Sequence, residues 1–131
     1  MISPANEKVT SGRGTKRVLY VDDMRELRDV ARIALSRSGH RVDCAASGAE
    51  ALELVRADPS YDIIITDHHM GGMNGIELVM KLREIAFPGV IAIVSSEINV
   101  EVADEYRRLG VERILYKPVE LPVLRALVLE S

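Results

Sequence analysis

Cysteine and bulky aromatic residues are scarce in this sequence, which contains one cysteine, one phenylalanine and no tryptophan. A lone thiol, here Cys44, cannot form a disulfide within the chain, so a disulfide-stabilised secreted domain is excluded. We expect Cys44 to be a small buried apolar residue. We also expect the protein to reside in a reducing compartment, the cytoplasm.

Long hydrophobic runs and a strong positive charge are missing as well. No apolar stretch approaches the roughly 20 residues that a bilayer-spanning helix needs, and the N-terminus lacks the apolar segment of a signal peptide. The sequence therefore predicts a protein that is neither exported nor embedded in a membrane. Its formal net charge of -3 gives no field to hold a polyphosphate backbone, which argues against direct binding of nucleic acid.

What the chain does contain is the composition of one soluble globular domain. Its 131 residues, 47% hydrophobic and 28% charged, can bury a core without help from metals or disulfides. Residues 1–15 mix small polar residues with glycine and proline and show no apolar periodicity, which predicts a flexible N-terminal tail. The folded domain is therefore expected to cover residues 16–131.

From Arg17 onward, short runs rich in Val, Ile and Leu alternate with segments of helical period, which is typical of βα units around a parallel sheet. The predicted strands are 17–21, 41–45, 62–66, 90–94 and 113–116. The predicted helices are 25–38, 48–57 after a Ser47–Glu50 capping box, 75–85 after an Asn74 cap, 100–109 and 121–129. Five such units predict an α/β fold, a flavodoxin-like (βα)5 doubly wound parallel sheet in strand order 2-1-3-4-5.

Polar residues follow the predicted strands at the edge where sheets of this kind bind ligands. Asp22 and Asp23 follow the first strand, and Asp67 follows the third. Ser95 and Lys117 follow the fourth and the fifth. We expect these side chains to converge in one shallow crevice.

Three carboxylates in one place repel one another, which either raises a pKa or recruits a cation. Ligands that are all oxygen favour Mg2+ and disfavour zinc. With Mg2+ bound, a carboxylate oxygen of Asp67 can attack a phosphoryl group. Lys117 then supplies a fixed positive charge, and Ser95 a hydrogen bond, to the phosphoryl oxygens.

Five segments, in their order and spacing, resemble the response-regulator receiver domains of two-component signalling, the CheY-like superfamily. They are VLYVDD, AASGAEALELV, DIIITDHHMGGMNGIEL, VIAIVSS and LYKP, and the resemblance covers about residues 17 to 129. It implies that Asp67 is the phosphoacceptor and that the Lys117–Pro118 peptide bond is cis. The other implied roles are Mg2+ ligation by Asp22, Asp23, Asp67 and the backbone carbonyl of His69, a switch hydroxyl on Ser95, and a phosphoryl contact from Lys117.

The resemblance also implies how such a chain works. It accepts the phosphoryl group from a histidine kinase or a phosphotransfer protein and then changes its surface near the fourth helix, the fifth strand and the fifth helix. That surface binds a target protein or a second copy of the chain. The chain is not an enzyme in the ordinary sense, because it catalyses only its own phosphorylation and dephosphorylation.

Three positions depart from the pattern common in relatives. Ile114 stands where a Tyr or Phe is frequent, so a phosphorylation-independent interaction module on the same fold is the alternative function. Gly71 replaces a proline, which predicts a looser loop after Asp67. Ser96 stands where Ala or Gly is frequent, which predicts narrower access to the phosphoryl group. A phosphatase or flavin protein of the same topology is disfavoured, because no general acid for turnover and no aromatic stack are evident.

Two further features of the sequence carry hypotheses. His68 and His69 are adjacent, so a transition-metal site is an alternative, but no third soft ligand is evident. A milder hypothesis is that His69, with Glu97, rims the site and tunes the lifetime of the aspartyl phosphate. In the fifth helix one apolar stripe fits the sheet, and a second is expected on the outer side, where it suggests a partner surface or homodimer. The outer stripe consists of Val123, Ala126 and Leu127.

Overall fold

Residues 14–131 are described by a computed structural model, in which strands and helices alternate along the chain. The strands are β1 (Arg17–Val21), β2 (Arg41–Ala45), β3 (Ile63–Thr66), β4 (Val90–Ser95) and β5 (Arg113–Tyr116). The helices are α1 (Arg25–Arg37), α2 (Gly48–Ala57), α3 (Gly75–Glu84), α4 (Val100–Arg108) and α5 (Leu121–Leu129). The predicted flexible tail, residues 1–15, lies almost wholly outside the described residues.

The five strands form one parallel sheet in the order β2-β1-β3-β4-β5. This confirms the predicted flavodoxin-like (βα)5 doubly wound sheet. The chain first steps from β1 outward to β2 and then returns across β1 to β3, so the strand order reverses between β1 and β3. In such sheets the ligand site lies at the carboxyl ends of the strands on either side of that reversal.

Strand β3 lies at the centre of the sheet, and its apolar side chains divide the core into two layers. Ile64 belongs to the layer that packs against α2, α3 and α4. Ile63 and Ile65 belong to the layer that packs against α1 and α5. Because side chains alternate between the two faces of a strand, a run of isoleucines is what a strand buried on both faces requires.

The helix caps that border the site differ in part from those predicted. Ser47 accepts a hydrogen bond from the Glu50 N–H at 3.1 Å, but the Glu50 carboxylate accepts from the N–H of Ala46, so the predicted capping box is incomplete. The complete capping box is instead at α3, where Asn74 and Glu77 each accept from the other's backbone N–H at 2.9 Å. This box fixes the start of the helix that follows the Asp67 loop.

Most predicted element ends agree with the structure to within one residue. Helix α1 ends one residue early, because Ser38 is its C-cap and Gly39 adopts a positive φ of 94° that suits glycine. Strand β4 is one residue longer than predicted, so Ser95 is its last residue and does not follow it. The hydroxyl of Ser95 is therefore placed by the sheet itself.

Two predictions about buried side chains were wrong. Leu127 was assigned to the outer stripe of α5, but it is buried in the core layer shared with α1. The helix presents a wider apolar face to the sheet than the two-stripe pattern predicted, and Val123 and Ala126 remain on the outside. Cys44 is half-buried and not fully buried, because it lies on the edge strand β2, where its thiol contacts α1.

No helix between residues 14 and 131 combines the length and the apolar character that crossing a bilayer requires.

Candidate functional site

The backbone ladder of the sheet fixes two of the acidic residues. Val21 and Thr66 are paired at the carboxyl ends of β1 and β3. The next residue of each strand continues the ladder, since the Asp22 N–H donates to the Ala45 carbonyl at 3.1 Å and the Asp67 N–H to the Val21 carbonyl at 3.0 Å. Both carboxylates are therefore held at the sheet edge with little backbone freedom.

Asp22, Asp23 and Asp67 form a carboxylate cluster, in which one oxygen from each residue lies within 4.8 Å of the others. Asp22 and Asp67 are buried, whereas Asp23 is exposed to solvent. Two buried carboxylates and a third at the rim are mutually repulsive, and a hard divalent cation is the ion that such an oxygen-only set suits. The residues present therefore fit Mg2+ in the kind and number of their donors.

Lys117 is the cation that the fold itself places in this cluster. Its Nζ donates to Oδ2 of Asp22 and to Oδ2 of Asp67, both at 2.9 Å. Burial lowers the pKa of Lys117, but the hydrogen bonds with Asp22 and Asp67 outweigh it and raise the pKa above its ordinary value. The ammonium group is thus charged at neutral pH, and the cis peptide bond between Lys117 and Pro118 follows it, as the resemblance implies.

Ser95 provides a polar group that the folded chain leaves unused. The residue is fully buried, and its Oγ makes no hydrogen bond with any of residues 14–131. Its backbone carbonyl accepts from the Lys117 N–H at 2.9 Å, which ties the end of β4 to the start of the Lys117 loop. Buried hydroxyls are nearly always bonded, so the Ser95 hydroxyl is an exception whose hydrogen-bonding capacity the described residues leave unused.

The segment after Asp67 is anchored by two histidines, for which the sequence suggested a transition-metal site only as a disfavoured alternative and a place for His69, with Glu97, at the rim of the site. The His69 N–H donates to Oδ1 of Asp67 at 3.2 Å, and its Nε2 lies 2.9 Å from the Glu97 carbonyl oxygen at the rim of the site. His68 is buried, and its Nδ1 lies 2.6 Å from the Tyr106 hydroxyl of α4. Both rings therefore bond to the protein, and the group with metal-ligating spacing among residues 14–131 consists of aspartates alone.

The ionisation states of this pair follow from burial. Burial, and then the neighbouring His69, lowers the pKa of His68, so its ring is neutral at pH 7. Burial, and then the negative charge of Asp67, raises the pKa of Tyr106, so its hydroxyl keeps its proton. Tyr106 was not predicted as a site residue. The signal that could have found it is a bulky polar aromatic on the inner face of a short amphipathic helix.

The departures noted in the sequence lie at the edges of the site. Ile114 is half-buried on β5 and packs against the core layer below α4. Tyr116, two residues along the same strand, is 54% exposed. Gly71 and Ser96 are both exposed in the loops after β3 and β4. Position 114 of β5 thus carries an aliphatic side chain where an aromatic one is frequent in relatives.

Comparison with known proteins places these features in a family context. The family model described as the response regulator receiver domain matches residues 18–129. The response regulator receiver protein Anae109_2439 of Anaeromyxobacter sp. is 40% identical over 111 residues, which cover 82% of this chain and 44% of that protein. The sensor histidine kinase AruS of Pseudomonas aeruginosa is 34% identical over 113 residues, which cover 82% of this chain and 11% of the kinase.

Among solved structures, the chemotaxis protein CheY4 of Vibrio cholerae is similar with a TM-score of 0.82 and 29% identity, covering 88% of this chain and 98% of that one. The chain spans less than half the length of the two curated relatives named above. The similarity therefore concerns one domain of each of those longer proteins.

Proposed function

This chain belongs to the response regulator receiver family, and we propose that it accepts a phosphoryl group on Asp67 from a histidine kinase or a phosphotransfer protein in a Mg2+-dependent reaction. The observation that carries the proposal is the Asp67 carboxylate, buried in an acidic cluster and held 2.9 Å from the Lys117 ammonium. The similarity to a sensor histidine kinase supports the choice of donor.

The proposed reaction is a displacement at phosphorus. A carboxylate oxygen of Asp67 forms a bond to the phosphorus while the bond from phosphorus to the donor nitrogen or oxygen breaks. The bonding electrons leave with the donor atom, and a histidine nitrogen then takes up a proton from solvent. The chain returns to its resting state when water hydrolyses the acyl phosphate and inorganic phosphate is released. The chain thus catalyses only its own modification.

Mg2+, held by Asp22, Asp23, Asp67 and the backbone carbonyl of His69, would neutralise the negative charge that spreads over the phosphoryl oxygens. The shared cluster of the three aspartates supports their part in this ligand set, and the His69 carbonyl is included because the family resemblance implies it. Without the ion, the carboxylates repel both one another and an incoming phosphoryl group. The fit of the donors is the support for this cofactor.

Two residues are proposed to recognise the phosphoryl group once it is attached. The Lys117 ammonium, now shared between two carboxylates, would turn to a phosphoryl oxygen and form a charge-assisted hydrogen bond. The Ser95 hydroxyl, which lacks a partner among the described residues, would donate to another. Donation by Ser95 pulls the end of β4 toward the site, and this is the proposed first step of the switch.

The proposed output is a changed surface on α4, β5 and α5 that binds a target protein or a second copy of the chain. Exposed apolar side chains on all three elements support this assignment, namely Val100, Tyr116 and Val123. We expect the protein to act in the cytoplasm and to bind neither membranes nor nucleic acid directly. The second candidate, a phosphorylation-independent interaction module, is favoured only by the aliphatic Ile114.

The test is phosphorylation by a small donor. Incubation with acetyl phosphate and Mg2+ should add the mass of one phosphoryl group to the wild type and none to Asp67→Asn. The matched control is Asp104→Asn, which removes an exposed carboxylate on α4 and should be modified like the wild type. A wild type that gains no phosphoryl group, or an Asp67→Asn variant that does, refutes the assignment and leaves the interaction module as the better account.

A further inference from the structure

His68 is held at both ends, although it lies in a loop. Its backbone carbonyl accepts from the Gly75 N–H at 2.9 Å, at the first residue of α3. Its ring reaches the other way and lies 2.6 Å from the Tyr106 hydroxyl, in the last turn of α4. The residue directly after Asp67 therefore contacts two helices at once: its carbonyl accepts from the first N–H of α3, and its ring contacts a side chain of α4.

Tyr106 is built into the space between those helices. It is fully buried, and its ring and that of His68 meet edge to face with centroids 5.5 Å apart. Gly75 has no side chain at the point where a β-carbon would collide with the Tyr106 hydroxyl. The hydroxyl thus occupies a pocket shaped by α3 and the loop, so a displacement of either is felt by α4.

His69, the next residue, makes a second contact with the segment that leads into α4. Nε2 of His69 lies 2.9 Å from the Glu97 carbonyl oxygen, in the loop that leads from β4 into α4. The His69 N–H also donates to Oδ1 of Asp67. Residues 68 and 69 therefore join the carboxylate of Asp67 both to the loop before α4 and to the last turn of that helix.

We propose that Tyr106 is a positioning residue for the Asp67 site. Its hydroxyl, through His68, holds residues 68 and 69 in the conformation that binds the metal and the phosphoryl group. The same contact links occupancy of the site to the position of α4. This inference rests on the proposed function, because it concerns the same acceptor. It goes beyond that function by naming the contact through which the site and the helix influence each other.

Such a link is reciprocal. If the hydrogen bond favours the binding-competent loop, its loss lowers the population of that loop and weakens the apparent affinity of the site. A neutral hydrogen bond contributes a few-fold to tenfold in such an equilibrium, so we expect a loss of affinity of about threefold to tenfold. Loss of the hydrogen bond should also reduce the change in α4 that occupancy of the site produces.

The experiment uses beryllofluoride in the presence of Mg2+ as the phosphoryl mimic. Fluorine NMR gives its affinity, and amide hydrogen exchange of α4 with and without the mimic gives the response of the helix. The variants are Tyr106→Phe, which removes only the hydroxyl, and His68→Asn, whose amide can replace Nδ1. Tyr61→Phe is the matched control, since it removes a buried hydroxyl that bonds Asp43 at 2.6 Å, just before β3 and at the opposite end of that strand from Asp67.

We expect Tyr106→Phe to bind the mimic about threefold to tenfold more weakly and to lose the change in α4 exchange. His68→Asn should lie nearer to the wild type, and Tyr61→Phe should keep both the affinity and the α4 response. If Tyr106→Phe unfolds more easily but keeps both the affinity and the α4 response, Tyr106 is merely structural and the inference is wrong. Should that variant fail to fold, His68→Leu makes the same comparison from the loop side. A wild type that binds no beryllofluoride refutes the proposed function itself, and the inference with it.

Discussion

The Ser95 hydroxyl is a buried polar group without a partner among residues 14–131, which is a cost that the fold carries in its resting state. We predict that Ser95→Ala leaves the free energy of unfolding unchanged or raises it by up to about 1 kcal/mol, because an unsatisfied hydroxyl is removed from the core. The same variant should bind beryllofluoride with Mg2+ more weakly. Urea unfolding and fluorine NMR measure the two effects.

Thr66 provides the matched comparison for Ser95. It is also a fully buried hydroxyl at a strand end, but its Oγ1 donates to the Asp67 carbonyl at 3.0 Å. Thr66→Val should therefore lower the free energy of unfolding by about 1 kcal/mol or more, because valine cannot make the hydrogen bond that the Thr66 hydroxyl donates to the Asp67 carbonyl. Equal losses of stability for Ser95→Ala and Thr66→Val would mean that Ser95 is bonded in solution, and its proposed role would fail.

The carboxylate cluster predicts a stabilising response to Mg2+. An ion that binds only the folded state raises the free energy of unfolding, by about 2.7 kcal/mol when its concentration is 100 times its Kd. We expect this rise in the wild type and a much smaller one in Asp23→Asn, because one of three ligands is lost. Thermal unfolding with and without Mg2+ measures it, and Glu53→Gln on the exposed side of α2 serves as the control. A wild type whose stability does not depend on Mg2+ would count against the metal site.

At the scale of elements, Gly75 determines how closely α3 approaches α4. A β-carbon at this position meets the Tyr106 hydroxyl and lies 3.0 Å from the backbone of His68. We predict that Gly75→Ala lowers the free energy of unfolding by about 1 to 3 kcal/mol, as overpacking does. Tyr106→Phe in the same chain should restore part of the loss, because the collision with the hydroxyl disappears.

The double-mutant cycle separates the two possible causes of that loss. The contact with the His68 backbone remains in the double variant, so the recovery should be incomplete. Denaturant unfolding of the two single variants and the double variant gives the interaction free energy between positions 75 and 106. Strict additivity of the two losses would show that the hydroxyl and the glycine do not share this space.

The elements and their order followed from the sequence because each strand carries its own signal. The short run of isoleucines in β3 favours a strand buried on both faces, and the polar residue after each parallel strand then lies at one edge of the sheet. Element ends were predicted less well, as with Ser95, because whether a strand continues by one residue depends on the pairing of its neighbour β5. Local sequence does not contain that pairing.

The bond between His68 and Tyr106 was beyond sequence reasoning for a related reason. The two residues are 38 positions apart, and their contact depends on the packing of α4 against the loop after β3. Leu127 shows the same limit, because a helix that packs on a twisted sheet buries a wider face than a two-stripe pattern suggests. Side-chain partners across elements are decided by tertiary packing and not by periodicity.

At the scale of the whole molecule, His40 makes stability depend on pH. It is buried between α1 and β2, and its Nδ1 accepts from the Lys16 N–H at 3.0 Å, just before β1. Burial, and then the charge of Lys16, lowers the pKa of His40 below its ordinary value of 6.5. A protonated ring could no longer accept that bond, so the folded state resists protonation.

The direction of the effect follows from proton linkage. Below about pH 6.5 the unfolded chain binds a proton that the folded chain refuses, so the free energy of unfolding falls as the pH falls toward the lowered folded-state pKa. We predict that His40→Asn, which keeps an acceptor for the Lys16 N–H but does not titrate, flattens this dependence between pH 7 and 5. The pKa of His68 is lowered as well, so part of the slope should remain. A wild type and a variant with identical pH profiles would contradict the assignment.

The exposed apolar residues of α4, β5 and α5 predict that the protein forms a dimer when the phosphoryl mimic binds. Val100 on α4 is 71% exposed, Tyr116 on β5 is 54% exposed and Val123 on α5 is 45% exposed, so three successive elements each present an apolar side chain to solvent. Solitary apolar residues on a surface are ordinary, whereas an exposed apolar residue on each of three successive elements is the basis for proposing an interface here. If phosphorylation reshapes this surface, beryllofluoride with Mg2+ should shift the wild type from monomer toward dimer in sedimentation velocity at tens of micromolar.

Two charge substitutions test whether dimerisation uses the surface on α4, β5 and α5 or other exposed apolar residues. Val123→Glu places a charge in the proposed interface and should keep the protein monomeric even with the mimic bound. Met80→Glu adds the same charge to α3, on the opposite face of the sheet from α5, where a side chain is similarly exposed, and it should dimerise like the wild type. Equal loss of the dimer in both variants would indicate nonspecific association. A wild type that stays monomeric with the mimic bound would assign the output to a different partner protein, because the surface would then not recognise itself.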